Sequence, residues 1–579
     1  MMKMKQTHTH TSKNTWVIIL IAVFGLNSCA KKEAMEVKKV EKTKVTFNVT
    51  GIDESISEGA KEKKAAANFG HSDGGNKAEV ISYNGFDAQV ITDHDLKVHS
   101  RKIMVKSKAG SNSGSNALRA AAMTPGNTYN LYLYKEDGTY VDTYNFSVGG
   151  ASAIEVEKGE SYTWYAVSYN DQSTDIVDVD QGNPTVKELA LPGNKDILYA
   201  TDVFEVPTSA GEVSVPVSIV FNHKVARIGI EINTMGMFAN MTSATVEVAG
   251  LVLKTGSLNL ETGNWGTTLT NVTPTIAYSD FVDVDPLYQD AKIAYVYTAG
   301  TTATGNFTVT LRGLDLTLDD GNPRSFNTLL TATPSVFTYN ITPQIGNTHR
   351  ALANLIESPL SVGTVRWARQ NVYYYGGTHV PYRFHHTYAH SNNVNTYFSF
   401  KGTVPQTYGV NGDPCSSVYP NGIWRQATRS DFEGLTGAAT ILNTYPDGLE
   451  VTYGTVNVGG TDRGYFEYQS STGTASPYPS KNLRFNMNGY GANLGLVGGL
   501  VQLDFGTTFG TSIDYWTSTS GTNLLGLGNL GAINYKGTTS VFLGNRTNTD
   551  AMNVTLLVVG VLGVDVVETP FRNVRCVRN

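Results

Sequence analysis

Tyr129-Asn130-Leu131-Tyr132-Leu133-Tyr134, then Glu136-Asp137-Gly138, then Tyr140 to Val148 (YVDTYNFSV) decides the fold class of this chain. Two runs rich in aromatic and branched residues flank an acidic-Gly turn. Such side chains suit a pleated surface, and Gly accepts the positive φ that a tight reversal needs, so the stretch predicts a β-hairpin. Working outward, Ile154 to Val156 and Tyr162 to Tyr169 (YTWYAVSY) read as further strands separated by Gly159. A second block begins near Leu198 and includes Val213 to Phe221 (VSVPVSIVF), Val225 to Ile232 (VARIGIEI), Ala244 to Val252 and Phe307 to Leu311. Short strands at regular spacing predict two successive antiparallel sandwiches whose inner faces are the alternate apolar positions. Upstream, Lys44 to Thr50 (KVTFNVT) alternates as a half-buried strand does. Residues 53–79 read as a polar loop, and Val80 to Val105 as strand-like. Lys106 to Ala122 (KSKAGSNSGSNALRAAA) has the composition of a flexible linker.

Composition narrows the function classes. At 579 residues the chain has room for three or four domains. It is rich in Gly (58) and Tyr (31), and poor in charge (16%). No long stretch has a helical period. The net charge of −6 comes with no basic stripe, which argues against a nucleic-acid partner. GxSxG, HExxH and P-loop motifs are missing, so no enzyme activity and no cofactor are expected. Gly526 to Gly531 (GLGNLG) fits a dinucleotide pattern by letter, but no helical pattern follows it. The glycines from Gly491 on (GANLGLVGGL) read as a tight corner, and Asp319-Asp320 and Asp178/Asp180 as solvated turn charges. His379, His385, His386 and His390 lie close in sequence without a nearby Cys or acid to complete a metal set, so no metal is expected.

The N-terminus carries an address. Met1 to Lys13 is basic without an acid, Trp16 to Leu26 (WVIILIAVFGL) is apolar, and Leu26-Asn27-Ser28-Cys29 follows. That is the layout of a secretory signal, and its end resembles the lipobox of bacterial lipoproteins. The resemblance implies removal of residues 1–28 of the 1–29 signal and lipidation (palmitate) of Cys29. The apolar run is too short to span a bilayer, whereas several acyl chains anchor firmly. The expected location is the cell outer membrane, lipid-anchored and surface-exposed. Residues 30–43 read as a charged spacer. Cys415 and Cys576 would then sit in an oxidising compartment, as a bridge or as two buried thiols.

Four segments in order carry a further resemblance: TPGNTYNLYLYKEDGTYVDTYNFSVGG (124–150), IEVEKGESYTWYAVSYN (154–170), DILYATDVFEV (196–206) and VSIVFNHKVARIGIEI (217–232). Together they resemble the fimbrillin family of type V pilins and pilus accessory lipoproteins over about residues 40–350. The resemblance implies fimbrillin-like sandwiches at 44–195 and 196–350. It also implies a maturation in which a protease cuts after an arginine, the lipidated first strand leaves, and a strand of another pilus subunit fills the groove. Arg119-Ala120, in the linker, is the candidate cleavage site, and Arg101-Lys102 a weaker one. The plain alternative is a linker containing an incidental arginine.

From about Leu360 the texture changes. Val365 to Val372 (VRWARQNV), Asp413-Pro414-Cys415, Gly422 to Phe432 (GIWRQATRSDF), Asp514 to Thr519 (DYWTST) and Val574 to Arg578 (VRCVR) occur in order. This series resembles the α+β C-type-lectin-like domain of bacterial surface lipoproteins (major paralogous domain type), over residues 360–579. It implies a Cys415–Cys576 bridge. Gln426-Ala427 departs from the family's usual Leu-Pro, yet Thr428 can still cap a helix over Arg429 to Leu435. The calcium-linked sugar triplets of animal lectins are missing, so calcium-dependent sugar binding is not carried over. Tyr373, Tyr374, Tyr375, Tyr382 and Tyr388 form a candidate ligand surface, with core packing as the alternative. Val554 to Val567 (VTLLVVGVLGVDVV) reads as buried strand and not as a membrane helix. The expected role is a pilus accessory or tip adhesin assembled by donor-strand exchange with other pilus subunits, with a glycan or a host or partner-surface protein as ligand. The alternative is a surface lipoprotein that binds glycan or protein and never polymerises.

Overall fold

The computed structural model describes residues 41–53, 79–94, 120–209, 214–405, 412–438, 446, 448–472, 476–496, 499–502, 508–521, 531–540, 544–553, 557–561 and 564–579. The signal, Cys29, nearly all of the spacer, the 54–78 loop, Arg101-Lys102, Arg119 and residues 526–530 lie outside them. The fold is mainly β. Ser335–Tyr339 alternates buried and exposed positions as the sequence pattern requires, whereas Thr128–Lys135 and Asn573–Arg578 are buried on both faces because a layer packs on each side.

The first sandwich uses β1 (Lys42–Asp53), β4 (Ala120–Ala121), β5 (Thr128–Lys135), β6 (Tyr140–Ser147), β7 (Ala153–Glu157) and β8 (Ser161–Ser168). β5 and β6 are the hairpin read from the sequence, with Gly138 at φ 84° in its turn. The sheet runs β4, β1, Ser214–His223, Leu198–Glu205, β8, β5, β6, with β7 on the free edge of β1. Its core joins Val45, Phe47 and Ile52 of β1 to Tyr129, Leu131, Leu133, Trp164, Ile219 and Phe221. The opposite face of β5 and β8 packs Tyr132, Tyr134 and Tyr165 against Leu189, Leu258 and Leu260.

The second sandwich has a six-stranded sheet in the order Val282–Asp285, Tyr288–Thr298, Ala226–Gly236, Thr348–Glu357, β3 (Phe86–His94) and β2 (Val80–Ser82). Ala239–Ala249 and Phe307–Leu318 lead the facing sheet. Four expectations need correction. The boundary at 195/196 does not divide the sheets, because Leu198–Glu205 and Ser214–His223 complete the first one. β2 and β3 precede most of the first sandwich in sequence but belong to the second, and the second sandwich runs past 350 to Glu357. Nor is either sandwich purely antiparallel: β1 runs parallel to Ser214–His223, and Ala226–Gly236 parallel to Thr348–Glu357. Alternation is a local signal, while parallel pairing joins segments far apart in sequence.

In the C-terminal part the longest sheet runs Leu360–Val362, Val365–Tyr374, Asn573–Arg578, Ile513–Gly521, Gly531–Ser540 and Gly544–Asn553. The expected helix is Arg429–Thr436, closed at its start by reciprocal hydrogen bonds between Thr428 and Asp431. Part of the Val554–Val567 run forms the strands Leu557–Val561 and Val564–Phe571, paired with each other. Among the described residues no helix is long and apolar enough to cross a membrane.

Candidate functional site

β1 is the only described strand of the first sheet that lies upstream of residue 120. It pairs in parallel with Ser214–His223, from Lys44 opposite Ser214 to Ile52 opposite Phe221. On its other edge it meets β7 through Lys42 to Thr46, and β4 through Ile52 and Asp53. Val45, Phe47 and Ile52 point into the core, while Lys44, Asn48 and Thr50 point to water. Phe47 sits edge-on to Trp164 (6.0 Å) and Phe204 (5.9 Å). Burying three such side chains is worth roughly 1.5–3 kcal/mol each. Without β1 the sheet keeps an apolar slot flanked by two rows of unpaired backbone groups. Ala120, of the candidate cleavage pair, opens β4 and pairs with Asp53 at the end of that slot.

The opposite chain end is fastened. Asn573–Arg578 is buried at all six positions and lies between Val365–Tyr374 and Ile513–Gly521. Arg575 donates Nε to Asn371 Oδ1 (2.9 Å), Nη1 to the carbonyls of Ala368 (3.1 Å) and Arg369 (2.9 Å), and Nη2 to that of Arg484 (2.6 Å). Cys576 is disulfide-bonded to Cys415, with Cα atoms 5.6 Å apart, and both are buried.

The tyrosine cluster is divided by the fold. Tyr373 is buried, donates to Asp319 Oδ2 (2.6 Å) and stacks on His385 (4.4 Å). Burial pushes its hydroxyl far above the ordinary range, and the Asp319 charge adds to the effect. Tyr374 packs edge-on to Tyr382 (5.2 Å), whose hydroxyl donates to the Thr403 carbonyl (3.0 Å). Tyr388 donates to the Asn482 carbonyl beneath the Arg484 guanidinium. Tyr375, 46% exposed, is the member most open to a ligand. The other four are buried or half-buried, each with a hydrogen-bond or aromatic partner within the fold.

The histidines also find partners. His379 meets Asp290 (3.0 Å), His386 meets Asp319 (3.4 Å), and His390 contacts the Gly464 carbonyl (2.8 Å). Burial, with His386 nearby, pushes His385 down to about 4. Among the described residues no group of three His, Cys, Asp or Glu is placed to hold a metal. Asp319 departs from the reading as a solvated turn charge, since its side chain is only 21% exposed. Burial disfavours its charge, but His386, Arg383 and Tyr373 outweigh that and hold the carboxyl well below the usual range. Asp178 and Asp180 are exposed and lie outside helices and strands.

Asp319 belongs to a polar seam that fixes the C-terminal part on the second sandwich, and sequence reasoning did not find it. Asp87 of β3, 2% exposed, lies 2.9 Å from Arg578 and 3.3 Å from Arg366. The carbonyl of Gly85, in the β2–β3 turn, accepts from Tyr478 (2.8 Å) and Ser358 (3.2 Å). Tyr419 bridges Asn233 and Asn354 of the sandwich, 3.1 Å from each. A signal existed in Phe86-Asp87-Ala88-Gln89. An alternating strand normally turns its polar set to water, yet here both faces are covered, one by the sandwich core and the other by the C-terminal part.

No protein-family model matches the chain, and no curated protein does. Among solved structures it is similar to a candidate cell adhesion protein of Bacteroides fragilis (10% identity, 54% of this chain and 93% of that one, TM-score 0.28). It is also similar to the fimbrial anchor protein Mfa2 of Porphyromonas gingivalis (15%, 34% and 74%, TM-score 0.23). A third is a fimbrial assembly protein of Parabacteroides distasonis (14%, 39% and 82%, TM-score 0.20). At such TM-scores function has to be argued from the chain's own geometry.

Proposed function

We propose that this protein is a surface lipoprotein acting as a pilus accessory or tip adhesin. In this reading a strand of another subunit enters the first sandwich where β1 lies, and the C-terminal domain, of C-type-lectin-like kind, meets a glycan or protein. The observation that carries the reading is the placement of β1. It fills a slot between two backbone edges, and the next strand of its sheet begins at Ala120, so a cut after Arg119 divides no described strand of that sheet. A strand from another chain can satisfy such edges with main-chain hydrogen bonds and fill the Val45, Phe47 and Ile52 positions. The strand Asn573–Arg578, locked by Arg575 and a disulfide, is itself unsuited to donation.

Peptide mapping of the mature N-terminus in purified fibres tests this. The expected result is a new terminus at Ala120 in the assembled fraction, at low copy number relative to the shaft subunit. Acylated Cys29 on every copy, with no fibre association, would overturn it. That outcome would favour the non-polymerising lipoprotein, for which the close packing of β1 in its own sheet already speaks.

A further inference from the structure

The β2–β3 hairpin occupies a second place that the segment upstream of residue 120 alone fills. Phe86 and Ala88 enter the core of the second sandwich, while Asp87, on the opposite face, meets the C-terminal part. β3 pairs antiparallel with Thr348–Glu357 along nine residues, from Phe86 opposite Glu357 to His94 opposite His349, and β2 covers its outer edge. A cut after Arg119 therefore separates not one but two sets of strands from the rest of the chain: β1 from the first sandwich, and β2–β3 from the second.

What the second vacancy would present is unusual for a sheet edge. Arg578 is buried (3% exposed), and Asp87 is the acid that its Nη2 contacts. The guanidinium lies over Trp424 (4.0 Å) and also donates to the Glu357 carbonyl (3.1 Å). Arg366 reaches the same carboxylate from a half-exposed position. A strand that covers this edge without a carboxylate at the Asp87 register would bury Arg578 beside Glu357 but without the acid it contacts directly, an unfavourable state. An edge bordered by such a charge discriminates among incoming strands. One with a carboxylate in register satisfies it, and one with an apolar or amide side chain does not.

We propose that the Thr348–Glu357 edge is a second strand-acceptor site, and that Arg578 with Arg366 selects a partner-subunit strand bearing a carboxylate at the Asp87 register. An aromatic residue precedes that acid and a small one follows, matching Phe86 and Ala88. The occupant also restores the Asp87 part of the seam between the second sandwich and the C-terminal part, beside the contacts of Asp319 and Tyr419 that do not depend on it. The proposal rests on the strand-exchange reading but names a different sandwich and the chemistry of its occupant.

The test uses the full mature chain with a sequence-specific protease site engineered between residues 95 and 119, so that nicking does not depend on the natural protease. After nicking, fluorescein-labelled peptides are offered and followed by fluorescence anisotropy: residues 80–94, the same peptide with Asp87→Asn, and the same with the exposed Thr92→Asn. The expected result is uptake of the native and Thr92→Asn peptides by the nicked protein, none by the intact protein, and at least tenfold weaker uptake of the Asp87→Asn peptide. Equal uptake of the Asp87→Asn peptide would overturn selection by the arginines. Failure of every peptide to enter would overturn the acceptor site. An intact native N-terminus in fibres would instead defeat natural cleavage, and is read separately.

Discussion

The two ends of the folded chain are both β-strands inside sheets, yet they are held in opposite ways. β1 is held mainly by apolar side chains and main-chain pairing, with Lys42, Lys44 and Asn48 facing water and Thr43 buried. Asn573–Arg578 is held by buried ionic and hydrogen-bonded groups specific to its own sequence, and by a covalent bridge. Main-chain pairing and apolar filling are generic, and any strand of suitable alternation can supply them. Buried guanidinium networks are not generic, because each donor needs an acceptor at a fixed place. On the strand-exchange reading proposed above, β1 is the strand that is replaced and Asn573–Arg578 the one that stays. β3 combines the two, apolar and generic toward the sandwich, ionic and selective toward Arg578.

The harshest trial of this contrast removes β1. Deleting residues 42–53 should unfold the first sandwich, seen as loss of its cooperative transition in thermal unfolding, and a synthetic 42–53 peptide added during refolding should restore it. A deletion variant as stable as the parent would break the comparison. A smaller loss is expected for Cys415→Ala with Cys576→Ala. Opening a loop between residues 161 apart in sequence should cost about 4–5 kcal/mol in the chain-entropy model, measured by urea unfolding. The cost should fall on the C-terminal transition and leave that of the first sandwich in place. Arg575→Met should cost about 3–5 kcal/mol, because it leaves the carbonyls of Ala368, Arg369 and Arg484 without their donor. A cost near zero would mean that the C-terminal strand is held as generically as β1.

The smallest effect is on pH. Burial holds His385 near 4, against an ordinary value of 6.5, so the unfolded chain takes up a proton between those values that the folded chain refuses. Its contribution to stability is complete above pH 6.5 and is lost as pH falls toward 4. Glu231, buried and pushed up to about 7 despite Arg350, acts with the opposite sign between its ordinary 4.5 and 7. His385→Phe should therefore remove part of the loss in unfolding midpoint between pH 7 and pH 5. An unchanged pH profile would show that this seam does not sense acid.

Several elements were legible because their cause is local. The β5–β6 hairpin follows from Glu136-Asp137-Gly138 between alternating runs, and the Arg429–Thr436 helix from Thr428 and Asp431. Sheet membership was not legible. KVTFNVT and FDAQVITDH have the same alternation, yet one lies in the first sandwich and the other in the second. The tyrosines after Tyr373 were equally ambiguous, because an aromatic side chain reads the same whether Asp319 or water meets its hydroxyl.

By itself the sequence determined the β class, the β5–β6 hairpin turn and the capped helix, since propensity, capping and turn chemistry act over a few residues. Only the tertiary structure decided that β1 lies parallel to a strand more than 160 residues away, and that Asp87 faces Arg578 across a separation of 491. Contacts of that range depend on which sheets close on each other, and no local pattern of apolar and polar residues encodes the choice.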